Sequence, residues 1–126
     1  MKILQIINTA YRATIEEQDD TIIWLTHAMA GAGGDFDVVL CGNAVNYTAK
    51  HQNAEGLAFG DWRQTQPPRI ARDIAGLIAK DVNVYVVAED ADDMRLDNSE
   101  LIDGTRRITR SELADLLEEY DQIWRW

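Results

Sequence analysis

The segment "VNVYVVA", Val82–Ala88, is a nearly unbroken run of β-branched and aromatic residues bounded by charged residues on both sides. A strand with one wet face alternates apolar and polar side chains. A run without alternation is a strand buried on both faces. "KILQIIN", Lys2–Asn8, and "FDVVLC", Phe36–Cys41, have the same character. Burying both faces of one sheet requires helices above and below it, and helix-length segments do lie between these runs. This order implies a three-layer α/β/α domain with a mostly parallel sheet and right-handed crossovers. A single domain over residues 1–126 is expected, since ~100–150 residues is the commonest domain size.

The connecting segments carry helix signals. "TIEE" offers Thr14 as N-cap and Glu17 three residues on, a capping box that satisfies two otherwise unpaired backbone N–H groups. A helix from Ile15 to Ala30 is expected, with Ile15, Ile22, Leu25 and Met29 on its sheet-facing stripe. It ends at "GAGG", Gly31–Gly34, which follows a helix and precedes a strand. That order is wrong for a phosphate loop and right for a turn. A short helix is expected from about Asn43, with Asn43 as its cap. A surface excursion over Gln52–Pro68 follows, and then a helix opened by Pro67 and Pro68 with Ile70, Ile74, Leu77 and Ile78 inward. The stretch from Glu89 to Gly104 holds seven acidic residues and one arginine and reads as a solvated loop. "TRSE", Thr109–Glu112, is a second capping box, opening a helix to about Tyr120 with Leu113, Leu116 and Leu117 inward. "QIWRW" is the last strand.

Composition narrows the function. A net charge of −10 opposes nucleic-acid binding, which needs a basic stripe. No apolar run approaches the ~18–20 residues that span a bilayer, and the N-terminus lacks the pattern of a signal peptide, so no membrane association and a cytoplasmic location are expected. The single cysteine, Cys41, excludes an internal disulfide and CxxC frameworks. There is no GxSxG, no P-loop and no GxGxxG after a strand, and no cofactor is expected. An EF-hand alignment starting at Asp90 and Asp92 puts Arg95 where glycine is needed and Leu101 where the bidentate glutamate belongs, so no metal site is assigned.

Taken in order, "KILQIIN", "DVVLCGNAV", "IAKDVNVYVV", "LIDG", "TRSELADLLEE" and "DQIWRW" resemble the DsrE/DsrF/DsrH-like family of sulfur oxidation and sulfur relay proteins. The resemblance implies a sheet flanked by helices, here in a flavodoxin-like 2-1-3-4 order, and homotrimers or hexamers. In active members it implies a persulfide-carrying cysteine just after the third strand. Here that region reads Val86, Val87, Ala88, Glu89, Asp90, without cysteine. The expected function is therefore an oligomeric DsrE-like protein of sulfur metabolism that binds a small anionic or sulfur-containing ligand, or a sulfur-relay partner. The alternative is a sulfurtransferase-type persulfide carrier using Cys41.

In an open parallel sheet, ligands bind beyond the strand C-termini where strand order reverses. With a 2-1-3-4 order that crevice falls between strands one and three, walled by Asn8 to Tyr11 and Glu89 to Asp92. Binding residues Asn8, Tyr11, Glu89 and Asp90 follow from this placement, Asn43 and Asn46 offer hydrogen bonds to a bound anion or carbonyl, and Cys41 is the candidate catalytic residue. A helix starting after Cys41 would lower its thiol pKa; burial would leave it inert. His51 is a possible base for that thiol, although a solvent-facing position is the simpler reading. His27 is expected at a core edge or surface. Trp62, Trp124 and Trp126 are candidates for oligomer contact or for core burial at the sheet edge.

Overall fold

The computed structural model describes residues 1–10, 20–52 and 55–126. Five strands form the main sheet: β1 (Lys2–Ile7), β2 (Asp35–Leu40), β5 (Val84–Val87), β6 (Arg106–Ile108) and β7 (Gln122–Arg125). Two further strands, β3 (Ala58–Phe59) and β4 (Trp62–Arg63), make a small antiparallel hairpin. The helices are α1 (Thr21–Gly31), α2 (Ile70–Ala79), α3 (Ala88–Asp93) and α4 (Arg110–Leu116).

The period-2 geometry of the strands sorts their side chains into two apolar layers. Ile7, Val38, Leu40 and Val84 face one side and pack with Ile22 and Ile23 of α1 and with Ile70, Ile74 and Leu77 of α2. Leu4, Val39, Cys41, Tyr85 and Val87 face the other, against Leu113, Leu116, Leu117 and Tyr120 in and after α4. All four residues of β5 are buried, as its lack of alternation requires. Each such aliphatic side chain contributes about 1.5–3 kcal/mol on full burial. The expected α/β/α class with a parallel sheet is the observed one.

The strand order is not the expected 2-1-3-4. It runs β6-β5-β2-β1-β7 with every pairing parallel, so in chain order the sheet is 4-3-2-1-5. The chain steps outward from β1 to β6 and then returns by α4 across the opposite face, placing β7 on the free side of β1. The reversal therefore lies between β1 and β7. The third strand, β5, is separated from β1 by β2.

Several local expectations also change. Asp20 has extended backbone and caps α1, its carboxylate accepting from Ile22 N at 2.9 Å and Ile23 N at 3.2 Å. The helix is thus not continuous from Ile15, and the Thr14–Glu17 box lies outside the described residues. The buried Asp20 also accepts the Tyr47 hydroxyl at 2.7 Å, which satisfies a charge that would otherwise be costly. The acidic stretch begins as α3 and ends in a short 3-10 turn at Asn98–Glu100. Arg106–Ile108, read as connection, is an edge strand. The second capping box forms as expected, with Thr109 and Glu112 each bonded to the other's backbone N–H.

Candidate functional site

The carboxyl ends of the five parallel strands gather residues that are far apart in sequence. β1 runs into Asn8, β2 into Cys41 and Gly42, β5 into Glu89 and Asp90, β6 into Arg110, and β7 ends at Arg125 and Trp126. Because β2 is the central strand, Cys41 sits in the middle of this edge, between Asn8 on one side and Asp90 on the other.

Hydrogen bonds join them into one network. The Cys41 thiol donates to Asn8 Oδ1 at 2.8 Å, with Ile7 O a more distant acceptor at 3.6 Å. The next residue, Gly42, has a positive φ of 55° and donates its amide to Asp90 Oδ2 at 2.8 Å. The other Asp90 oxygen accepts from the Arg110 guanidinium at 2.6 Å. Glu89 receives the Arg110 backbone N–H on both carboxylate oxygens, each at 3.0 Å. Asn43 Oδ1 accepts from Ala10 N at 3.1 Å, which ties the start of the loop after β1 to the segment after β2.

Of the residues expected at the site, the structure therefore brings together Asn8, Cys41, Asn43, Glu89 and Asp90. Tyr11 lies outside the described residues. His51 is exposed and has no bond to Cys41. His27 lies between α1 and α2, its Nε2 2.8 Å from Asp73 O and its Nδ1 3.1 Å from Lys80 Nζ.

One expectation about this edge is corrected, and of the two readings of Cys41 the buried, inert one agrees with its surroundings. Asn43 does not cap the following segment: residues Gly42–Thr48 form a 3-10 helix whose N-cap position is Cys41, and no side chain caps it. Asn43 is instead used across the gap to Ala10. Nor does the segment activate the thiol. Burial first, and the Asp90 carboxylate second, push the Cys41 thiol above its ordinary value, against the weaker opposing pull of Arg125 and Arg110. Cys41 is buried at 9% exposure, so its hydrogen-bonded, protonated form is favoured.

Arg110 and Arg125 were not legible as site residues. Each is one cation in a mixed sequence, and only the return of α4 across the sheet and the docking of β7 beside β1 bring them to this edge. The C-terminal tryptophans are held on the α1 side of the sheet. Trp124 meets Phe36 edge to face at 5.6 Å, and Trp126 donates its indole N–H to Gln5 Oε1 at 3.0 Å. Trp62 pairs with Phe59 across the β3–β4 hairpin at 6.0 Å, in a cluster that stays largely exposed.

Among the described residues, no group of three or more metal-ligating side chains is present and no helix is long and apolar enough to cross a membrane. No family model matches the sequence, and no curated protein matches it. Solved structures with the same fold include the YchN protein from E. coli, 19% identical, with 99% of this chain and 98% of that one covered at a TM-score of 0.71. They also include MTH1491, a protein of unknown function from Methanobacterium thermoautotrophicum, 10% identical, with 99% and 98% covered at a TM-score of 0.62. Both are DsrE-like fold proteins, and the likeness establishes that fold for this chain.

Proposed function

We propose that this chain is a cytoplasmic, oligomeric DsrE-like protein of sulfur metabolism that binds a small ligand or a sulfur-relay partner at the carboxyl end of its sheet. In this reading Cys41 is a structural thiol. The observation that carries it is the state of that thiol: it is buried, donates to Asn8 Oδ1 at 2.8 Å, and is pushed up by burial and by Asp90. A persulfide carrier needs the opposite, an accessible thiolate, because the thiolate is the attacking species. The positions just after β5, where active members of the resembled family carry sulfur, are Ala88, Glu89 and Asp90, and the two carboxylates are committed to Arg110 and Gly42.

Self-assembly as trimers or hexamers is supported by large apolar side chains left at the surface. Trp24 is 56% exposed, Phe59 65% and Ile123 40%. Trp24 lies on α1 and Ile123 on the edge strand β7, while Phe59 pairs with Trp62 on the hairpin in an exposed apolar cluster of the kind that marks interaction sites.

The test is intact-protein mass spectrometry after incubation with a persulfide donor, run on the native chain and on Cys41→Ala. The expected result is no added sulfur and no alkylation of Cys41 until the chain is unfolded. Sulfur on the native chain that is missing from the variant would replace this reading with the carrier. Light scattering tests the assembly, for which a monomer at every concentration is the adverse result.

A further inference from the structure

The residues at the carboxyl edge have their side-chain acceptors engaged and several donors unused. Asn8 Oδ1 takes the Cys41 thiol, and Asn43 Oδ1 takes Ala10 N. Asp90 takes Gly42 N and Arg110, and both oxygens of Glu89 take Arg110 N. Among the described residues, the Nδ2 groups of Asn8 and Asn43 and the whole Arg125 guanidinium have no partner, and Arg110 uses one guanidinium nitrogen only. What can still bind here must accept hydrogen bonds.

Topology places the two arginines on opposite sides of the centre. Arg110 follows β6 at one edge of the sheet, and Arg125 ends β7 at the other, with Cys41 on the central strand between them. Arg125 pairs in register with Ile6, so its side chain leaves on the face of Leu4, Ile6 and Cys41. Trp126 N to Ile6 O at 2.9 Å and Asn8 N to Trp126 O at 3.0 Å fasten the end of β7 beside Asn8. This is also where the strand order reverses, the position at which open parallel sheets take ligands. Both arginines act on the Cys41 thiol through space, which agrees with their flanking placement.

We propose that Arg125 and Arg110, with the side-chain amides of Asn8 and Asn43, form a subsite for a small oxyanion, either a sulfur oxyanion or a carboxylate group. This rests on the ligand-binding reading above and names the class of ligand. A guanidinium fork matches the paired oxygens of both ions, and a charge-assisted bond to each is stronger than a neutral one. Asp90 is the positioning residue: by holding Arg110 on one oxygen and Gly42 on the other, it aims that guanidinium at the β2 end.

The experiment is a titration of the full-length chain followed by nitrogen-15 NMR of arginine Nε–H and asparagine side-chain amides. Sulfate, succinate and chloride serve as probes at matched ionic strength. Saturable shifts of Arg125, Asn8 and Asn43 with sulfate or succinate, and none with chloride, are expected, and the tighter of the two identifies the oxyanion type. Arg125→Gln should weaken binding about tenfold. It decides the matter alone if Arg110→Gln disturbs folding. Shifts that track ionic strength for all three ions, or binding unchanged in Arg125→Gln, would overturn the subsite. Running the persulfide-donor experiment on the native chain beside the titration separates the two readings. Persulfidation of Cys41 with anion binding intact removes only the structural-thiol assignment, whereas an inert thiol with no anion binding removes only the subsite.

Discussion

The Cys41 thiol donates a hydrogen bond to Asn8 Oδ1 at 2.8 Å, joining the ends of β2 and β1. The bond needs the proton, and both burial and the Asp90 carboxylate help keep it there. The chain's one thiol is thereby a structural tie at the edge where a ligand would sit.

Asp90→Asn is expected to make Cys41 easier to ionise. A neighbouring negative charge raises a thiol pKa, so its removal lowers it, while the amide oxygen can still accept from Gly42 N. The pH midpoint of Cys41 ionisation, followed by the ultraviolet absorbance of the thiolate, should move down relative to the native chain. A midpoint that stays put or rises would show that Asp90 does not act on the thiol.

Gly42 takes a φ of +55°, and a Cβ there would meet Asn8 O at 3.2 Å. Gly42→Ala therefore combines an unfavourable backbone region with a tight contact at the same tie. A loss of about 1–3 kcal/mol is expected, read from the urea midpoint. A midpoint within error of the native one would mean that this turn relaxes freely.

Tyr120 donates to the buried Asp37 carboxylate at 2.5 Å, and Asn83 supplies Asp37 with a backbone N–H at 2.8 Å and a side-chain N–H at 3.1 Å. Burial first, and then the Asp37 contact, push the Tyr120 hydroxyl well above its ordinary value of 10.0. A pKa raised in the folded state gives stability that is complete below the unfolded value and is lost as pH rises beyond it. The native chain should lose stability steeply above pH ~10. Tyr120→Phe, less stable at neutral pH, should lose less over that alkaline range. Parallel pH curves for the two proteins would contradict the assignment.

Trp126 N–H, Gln5 and Thr26 form a relay: indole to Gln5 Oε1 at 3.0 Å, Gln5 Nε2 to Thr26 Oγ1 at 2.6 Å, and Thr26 Oγ1 to Ile22 O at 2.7 Å. Gln5 is fully buried on the α1 face, so its amide must be satisfied there. Trp126→Phe leaves Gln5 Oε1 without its donor and should cost about 1–3 kcal/mol, measured by urea unfolding. Gln5→Leu together with Trp126→Phe should recover part of that loss, because the stranded Gln5 oxygen is gone while the Thr26 hydroxyl keeps its bond to Ile22 O. A double variant no more stable than Trp126→Phe alone would assign the cost to packing.

Fold class was written in the chain because it depends on local information. Unalternating β-branched runs such as Val84–Val87 favour strands covered on both sides, and the Thr109–Glu112 box closes between neighbours in sequence. The carboxyl edge as a place for Asn8, Asn43, Glu89 and Asp90 was legible too, since any parallel sheet delivers its strand ends to one side. Strand order was not. The 4-3-2-1-5 arrangement depends on α4 crossing to the second face and on β7 docking against β1, contacts between residues more than a hundred positions apart. A strand as short and charged as Arg106–Ile108 carries no hydrophobic pattern and exists because β5 offers it an edge. The same long-range packing decided the state of Cys41 and brought Arg110 and Arg125 to either side of it. Burial, neighbouring charge and hydrogen-bond partners are set by what lies close in space, and one-dimensional order does not encode that distance.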